Sequence, residues 1–139
     1  MLANGATLEY KKKSETSGTY TKLEGLKEIP EVGMDPEKVE NTCLEDSVKQ
    51  YEMGIGDAGD MTYKFKYDNT KDSSPYRVMR AAQDAGEVLS FKETLKDGTT
   101  TTFDGQVSVK RTGGGVNGVI EFNLNIALQS NLTITDPTA

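Results

Sequence analysis

Residues 119–128, Val-Ile-Glu-Phe-Asn-Leu-Asn-Ile-Ala-Leu, constrain the fold more than any other stretch. Ile120, Phe122, Leu124, Ile126 and Leu128 fall on one side of an extended chain. Glu121, Asn123, Asn125 and Ala127 fall on the other. A period of two means a strand with one buried and one solvated face, which is the pattern of antiparallel sheets. A slip of one residue would bury the asparagines, so the register is strongly specified. The chain must therefore build a sheet with a covered inner face.

Upstream, residues 87–95 place Leu89, Phe91 and Leu95 on one face, with Glu93 breaking the row. Asp97-Gly98 marks a hairpin turn. Residues 100–111 return with Phe103, Val107 and Val109 inward, and the glycine-rich stretch 112–118 reverses the chain again. Residues 61–67 alternate Met61, Tyr63, Phe65 and Tyr67 against Thr62, Lys64 and Lys66, and residues 7–12 form a shorter strand. A turn cluster spans 14–20, and short extended pieces within 23–32 are interrupted by Gly25 and Pro30. Met34-Asp35-Pro36 reads as a turn, 39–44 as extended, and 45–60 as a long charged loop. One helix is expected over 75–85, with Ser74 as N-cap, Pro75 at the first helical position and Gly86 as the stop. Tyr76, Met79 and Ala82 or Gln83 share its inward face. The expected fold is mainly β: an antiparallel β-sandwich or barrel with one packed α-helix, in a single domain over 1–139.

Gly54, Gly56 and Gly59 match the dinucleotide fingerprint G-x-G-x-x-G. That motif needs a helix opening after the glycines and an acid about 20 residues on. A strand follows instead, and no acid stands between Tyr76 and Ala82. The chain has no histidine, which removes the commonest general base and most zinc sites. No enzyme, cofactor or metal site is expected. No apolar run approaches the length of a membrane span, no leader is read at the start of the chain, and the single cysteine cannot close an internal disulfide.

Net charge is −6, unevenly spread. Between Glu24 and Asp60 eleven acids face three lysines, a net of −8, so the remainder carries +2. Nucleic-acid binders show the opposite balance. The acidic third reads as a solvated face or as a surface that meets something charged.

Four stretches stand out in order: 26–46, "YEMGIGDAGDMTYKFKYD" at 51–68, the helix at 75–85, and 90–109 with its Asp-Gly turn and Phe103-x-Gly105-x-Val107. Together they resemble the lambda-like tail tube proteins of long-tailed, non-contractile phages. The resemblance implies that Gly54, Gly56 and Gly59 lie in a loop between strands. It implies a virion protein, held in the host cytoplasm before assembly, that forms hexameric rings stacked into a tube through which DNA leaves. Partners would be other copies, the tape measure protein, the tail terminator and distal tail proteins, with no specific DNA binding and no membrane. Ring-stacking candidates are Tyr51, Met53, Gly54, Ile55, Gly56, Asp57 and Gly59 of the 45–60 loop, expected to be mobile in the free subunit and to order on stacking. Charge partners between subunits would be Glu45 and Asp46 against Lys11, Lys12, Lys13, Arg77, Arg80 and Arg111. Lysines 64, 66, 92 and 110 are expected on outer or contact surfaces, or paired with acids. Alternatives are a tube from a contractile or secretion machine, a terminator ring, or a monomeric β-sandwich binding module.

Overall fold

The structure, a computed structural model, describes residues 1–14, 18–57 and 60–138. In chain order the elements are β1 (Thr7–Lys12), β2 (Thr21–Lys22), β3 (Leu26–Glu28), β4 (Asp35–Glu40), β5 (Tyr51–Asp57), β6 (Met61–Lys66), α1 (Pro75–Ala85), β7 (Val88–Thr94), β8 (Thr100–Thr112), β9 (Glu121–Leu128) and β10 (Thr133–Thr135). The main sheet runs β2-β1-β7-β8-β9-β6-β3, all antiparallel, with β10 added to the start of β8. Its first and last strands, β2 and β3, are adjacent in the chain. Four Cα steps from Lys22 to Leu26 reach at most about 14 Å. The Leu23 N–H donates to the Leu8 carbonyl (2.9 Å), and the Lys66 N–H donates to the Gly25 carbonyl (2.9 Å). The sheet thus curls back on itself, and the stretch 21–28 joins its two ends. Buried Leu23 fills the seam.

The enclosed core follows the alternation. β9 turns Phe122, Leu124 and Ile126 inward, opposite Phe65, Tyr63 and Met61 of β6. Phe65 stacks on Phe122 at 5.3 Å and Phe91 on Phe103 at 5.6 Å. Ile120, expected in the inward row, precedes β9 and is exposed. Glu93 does not break its row. It is 3% exposed and continues the inward face, where the Tyr63 hydroxyl donates to its carboxylate. Burial pushes the Glu93 carboxyl up, and the hydrogen bond from Tyr63 only partly opposes this. Burial first, then the carboxylate beside it, pushes the Tyr63 hydroxyl up as well.

Gly105 marks where β8 passes from one neighbour to another. On one edge β8 pairs with β10 before it and with β9 from it onward, while β7 holds the other edge as far as Gln106. A Cβ at Gly105 would lie 2.4 Å from Ile126 Cγ2 and 2.8 Å from the Ala127 carbonyl, so only glycine allows this approach. β7 ends opposite Gln106, which leaves the rest of that β8 edge without a strand. α1 packs there, and Gln83 Oε1 accepts the Val109 N–H at 2.9 Å. The helix thereby covers an open edge. Met79 and Ala82 face the core as expected, and Gly86 closes the helix in the left-handed conformation at φ 66°. Ser74 makes no capping bond; its Oγ accepts the Lys71 N–H instead.

The long loop expected over 45–60 is confined, among the described residues, to the hairpin tip at 45–50 and to residue 60. Tyr51–Asp57 is a strand, and it pairs with Asp35–Glu40 as a separate two-stranded sheet. Asp35-Pro36, expected in a turn, opens β4. Proline is tolerated there because β4 is an edge strand. The extended stretch expected at 39–44 ends at Glu40, and the hairpin tip follows. Gly54 and Gly56 are therefore strand residues. Side chains at both positions would crowd the partner strand, meeting the Glu37 carbonyl at 3.0 Å and Met34 Cβ at 3.0 Å.

Candidate assembly surfaces

The β4–β5 hairpin leaves the body after β3 and returns at β6. We call it the arm. Its tip is well braced. The Asn41 N–H donates to the Gln50 carbonyl (2.8 Å), Asn41 Nδ2 to Glu52 Oε1 (2.6 Å), and the Gln50 N–H to Thr42 Oγ1 (3.0 Å). The Cys43 N–H donates to Asp46 Oδ2 at 2.9 Å, which holds the Asp46 carboxyl below its ordinary value. Asp46 thus serves the tip turn, while Glu45 beside it is exposed.

The arm has no buried face. All of β4 is exposed, and on β5 Tyr51, Met53 and Ile55 are 57%, 69% and 88% exposed. Tyr51 and Met53 share a face with Glu40 and Lys38, their register partners. Met34, Val39, Leu44 and Val48 add further exposed apolar area. These four were not singled out in the sequence; the signal was their position inside the acidic block. A lone two-stranded hairpin is marginal in water. So much exposed apolar area on such a hairpin marks an interaction site. Asp57 ends β5, and Gly59 lies outside the described residues.

Strand direction separates two ends of the barrel. Thr7 pairs with Thr94 and Thr94 with Thr100, so the start of β1 and the 95–99 turn share one end. Met61 and Leu128 lie toward that same end, and so does the base of the arm. Lys12 pairs with Leu89, and Thr112 with Glu121, at the other end. The basic candidates gather there. Lys12 closes β1 and Lys13 follows it, Arg77 and Arg80 stand on α1, and Arg111 is the penultimate residue of β8. Several already have partners. Arg77 donates to the Asn69 side chain and carbonyl (both 2.8 Å) and to Asp72 (2.6 Å). Lys13 lies 3.6 Å from Asp104, Lys11 lies over the Tyr20 ring at 5.1 Å, and Arg80 lies over Tyr76 at 5.4 Å. The arm that carries Glu45 and Asp46 is thus rooted at the end opposite the basic candidates, and no acid–base pair of that set meets within one subunit among the described residues.

Beside α1 at the basic end lies a groove of about 290 Å³. Its floor includes Val78, Ala82 and Leu89, and its rim Lys12, Arg77 and Glu87. On the outward face of the sheet, Lys64, Asn123 and Lys110 form one cross-strand row, and Lys66 and Glu121 belong to the next. Lys27 reaches Glu121 at 2.6 Å and holds its carboxyl below the usual value. Lys92 lies 5.8 Å from the Tyr20 ring. Among the described residues no cluster of three or more acidic or cysteine side chains could hold a metal ion. Among the same residues no helix is long and apolar enough to cross a membrane.

The fold is that of tail tube proteins. The chain superposes on a protein in the virion of a native gene transfer agent particle with a TM-score of 0.71 at 16% identity, covering 97% of this chain and 98% of that one. A chain in the tail of an empty gene transfer agent particle, refined with C6 symmetry, gives 0.65 at 20% identity, covering 93% and 94%. One in the six-fold symmetrised baseplate of the anti-feeding prophage gives 0.70 at 12%, covering 94% and 92%. No curated protein matches the sequence. Residues 1–136 match the family described as phage tail tube, TTP, lambda-like. The chain belongs to the lambda-like family of phage tail tube proteins.

Proposed function

We propose that this chain is the structural, non-enzymatic subunit of a phage tail tube, assembling into hexameric rings that stack head to tail around a bore through which DNA leaves the capsid. The observation that carries the proposal is the arm: a formed hairpin that exposes Tyr51, Met53 and Ile55 and has no core of its own. Such a device needs a neighbour. The C6 symmetry of one structural relative and the six-fold symmetry of another support rings of six. The outer edges of β10 and β3 are unpaired in the sheet order, the natural joint for closing a ring sheet to sheet.

In this reading the arm is the ring-stacking element, with Gly54, Gly56 and Asp57 shaping it and Glu45 among its acidic contacts. The tape measure, tail terminator and distal tail proteins are its further partners. DNA passes without specific binding, lysines 64, 66, 92 and 110 face contact or outer surfaces or lie near acids, and the subunit waits in the host cytoplasm until the virion tail is built. The likeness to the anti-feeding prophage chain supports a second reading, a tube in a tail-derived contractile machine. Genes beside the coding sequence separate the two: a sheath gene favours the second. The test of the main reading is replacement of Tyr51, Met53 and Ile55 by serine. The variant should stay folded by circular dichroism yet form no tubes in negative-stain images. Polymerisation as ready as the parent's rules out the arm as the stacking element. Image averaging of the parent's tubes should give six-fold symmetry; another rotational order excludes hexameric rings.

A further inference from the structure

The arm needs an acceptor, and the body offers one at its opposite end. We infer that the groove between α1 and the adjoining ends of β1 and β7 receives the arm of the next copy, with Met53 seated over Val78, Ala81 and Leu89. This rests on the tube reading above and adds the place where the arm lands.

Three observations converge. First, position. The arm leaves the end marked by the 95–99 turn, whereas the groove opens at the end where Lys12 pairs with Leu89. A donor and an acceptor at opposite ends give a heterologous contact that repeats along an axis. Second, charge. Residues 34–57 carry seven carboxylates against two lysines, a net of −5. At the groove end, residues 11–13, 66–87 and 110–121 hold nine lysines and arginines against five acids, a net of +4. Opposite fields on the two ends favour one orientation of approach and disfavour the reverse. Third, chemistry of the walls. The groove floor is apolar, its rim carries Lys12 and the Asn69-anchored Arg77 alongside Asp72 and Glu87, so that the rim's own charges balance, and Ala81 on its lip is exposed. The arm offers the counterpart: apolar side chains more than half exposed, flanked by Glu40 and Glu52. Among the described residues of one subunit the arm's strands pair only with each other, so the exposed Met53 is available to another copy.

The test uses the full chain. Met53→Cys in a Cys43→Ser background carries a benzophenone maleimide and is mixed in small proportion with parent protein. After assembly and irradiation, the label should map to peptides covering residues 77–89 or 10–12 of a second copy. Tubes whose label maps elsewhere overturn the groove as acceptor and leave the tube reading standing. Independently, Ala81→Tyr fills the groove from its exposed lip. Sedimentable polymer should fall at least about tenfold, equivalent to about 1.4 kcal/mol, with melting unchanged. If the Tyr51, Met53 and Ile55 serine variant fails to assemble while Ala81→Tyr assembles like the parent, the arm stacks but lands elsewhere. If both assemble like the parent, the arm's role falls too.

Discussion

Gly105 shows how a single missing Cβ sets the course of a strand. Ala at this position would overlap Ile126 and the Ala127 backbone, and backbone cannot step aside cheaply. Gly105→Ala should therefore lower stability by roughly 1–3 kcal/mol, read as a reduced urea midpoint; an unchanged midpoint would contradict the close approach. The motif Phe103-x-Gly105-x-Val107 was visible in the sequence, but its reason was not, because the crowding residues lie more than twenty positions away. Glu93 makes the same point. It read as a break in an apolar row, since nothing nearby announced Tyr63 as its partner. Its carboxyl is held above the ordinary value in the folded chain. Stability from such a group is complete below the unfolded carboxyl range and is lost as pH rises through the folded value. Glu93→Gln keeps the acceptor without the charge. The variant should match the parent near pH 4 and exceed it near pH 8 in urea unfolding. A variant less stable than the parent at pH 8 would show that the ionised form is the one the core prefers. Glu93→Leu should cost about 1–3 kcal/mol by stranding the Tyr63 hydroxyl.

The elements divide by whether they touch the core. β6, β7, β8, β9 and α1 were legible because a buried face writes its period into the sequence. β10 and the two-residue β2 are too short to show a period. The arm is the instructive case. Tyr51-Glu52-Met53-Gly54-Ile55-Gly56 does alternate, yet glycines, charges and Pro36 speak for a loop, and no buried face speaks against them. Its pairing depends on a partner strand beyond the tip, not on local propensity. Being a hairpin without a core, it should exchange its amide hydrogens quickly in the free subunit. Protection of 35–40 and 51–57 should rise sharply in assembled tubes. Equal protection in both states would mean that the arm needs no neighbour.

At the scale of the molecule, the sheet closes through contacts no local pattern records. β6 lies beside β9 and β1 beside β7, each pair far apart in sequence, and the seam depends on Leu23 joining two fragments of strand. The acidic block, by contrast, was plain in the sequence; the fold roots the arm, which carries seven of its eleven acids, at one end while the basic residues crowd the other. Long-range attraction between those ends acts chiefly on encounter. The rate of tube growth should therefore fall as salt rises from about 0.05 to 0.5 M, where the screening length shrinks from about 14 to about 4 Å. Tubes already formed should persist, because apolar contacts hold them. Light scattering follows both; growth faster at high salt would show that charge hinders the encounter.

Arm and groove at opposite ends also give a finished column a direction, much as a chain of hooks and eyes has one. One terminus presents unused hooks, the other unfilled eyes. Elongation at the two is then a different reaction, with its own rate and its own sensitivity to mutation. It follows that no single plug can close both: a stopper for one terminus must offer an eye, and a stopper for the other must bring a hook.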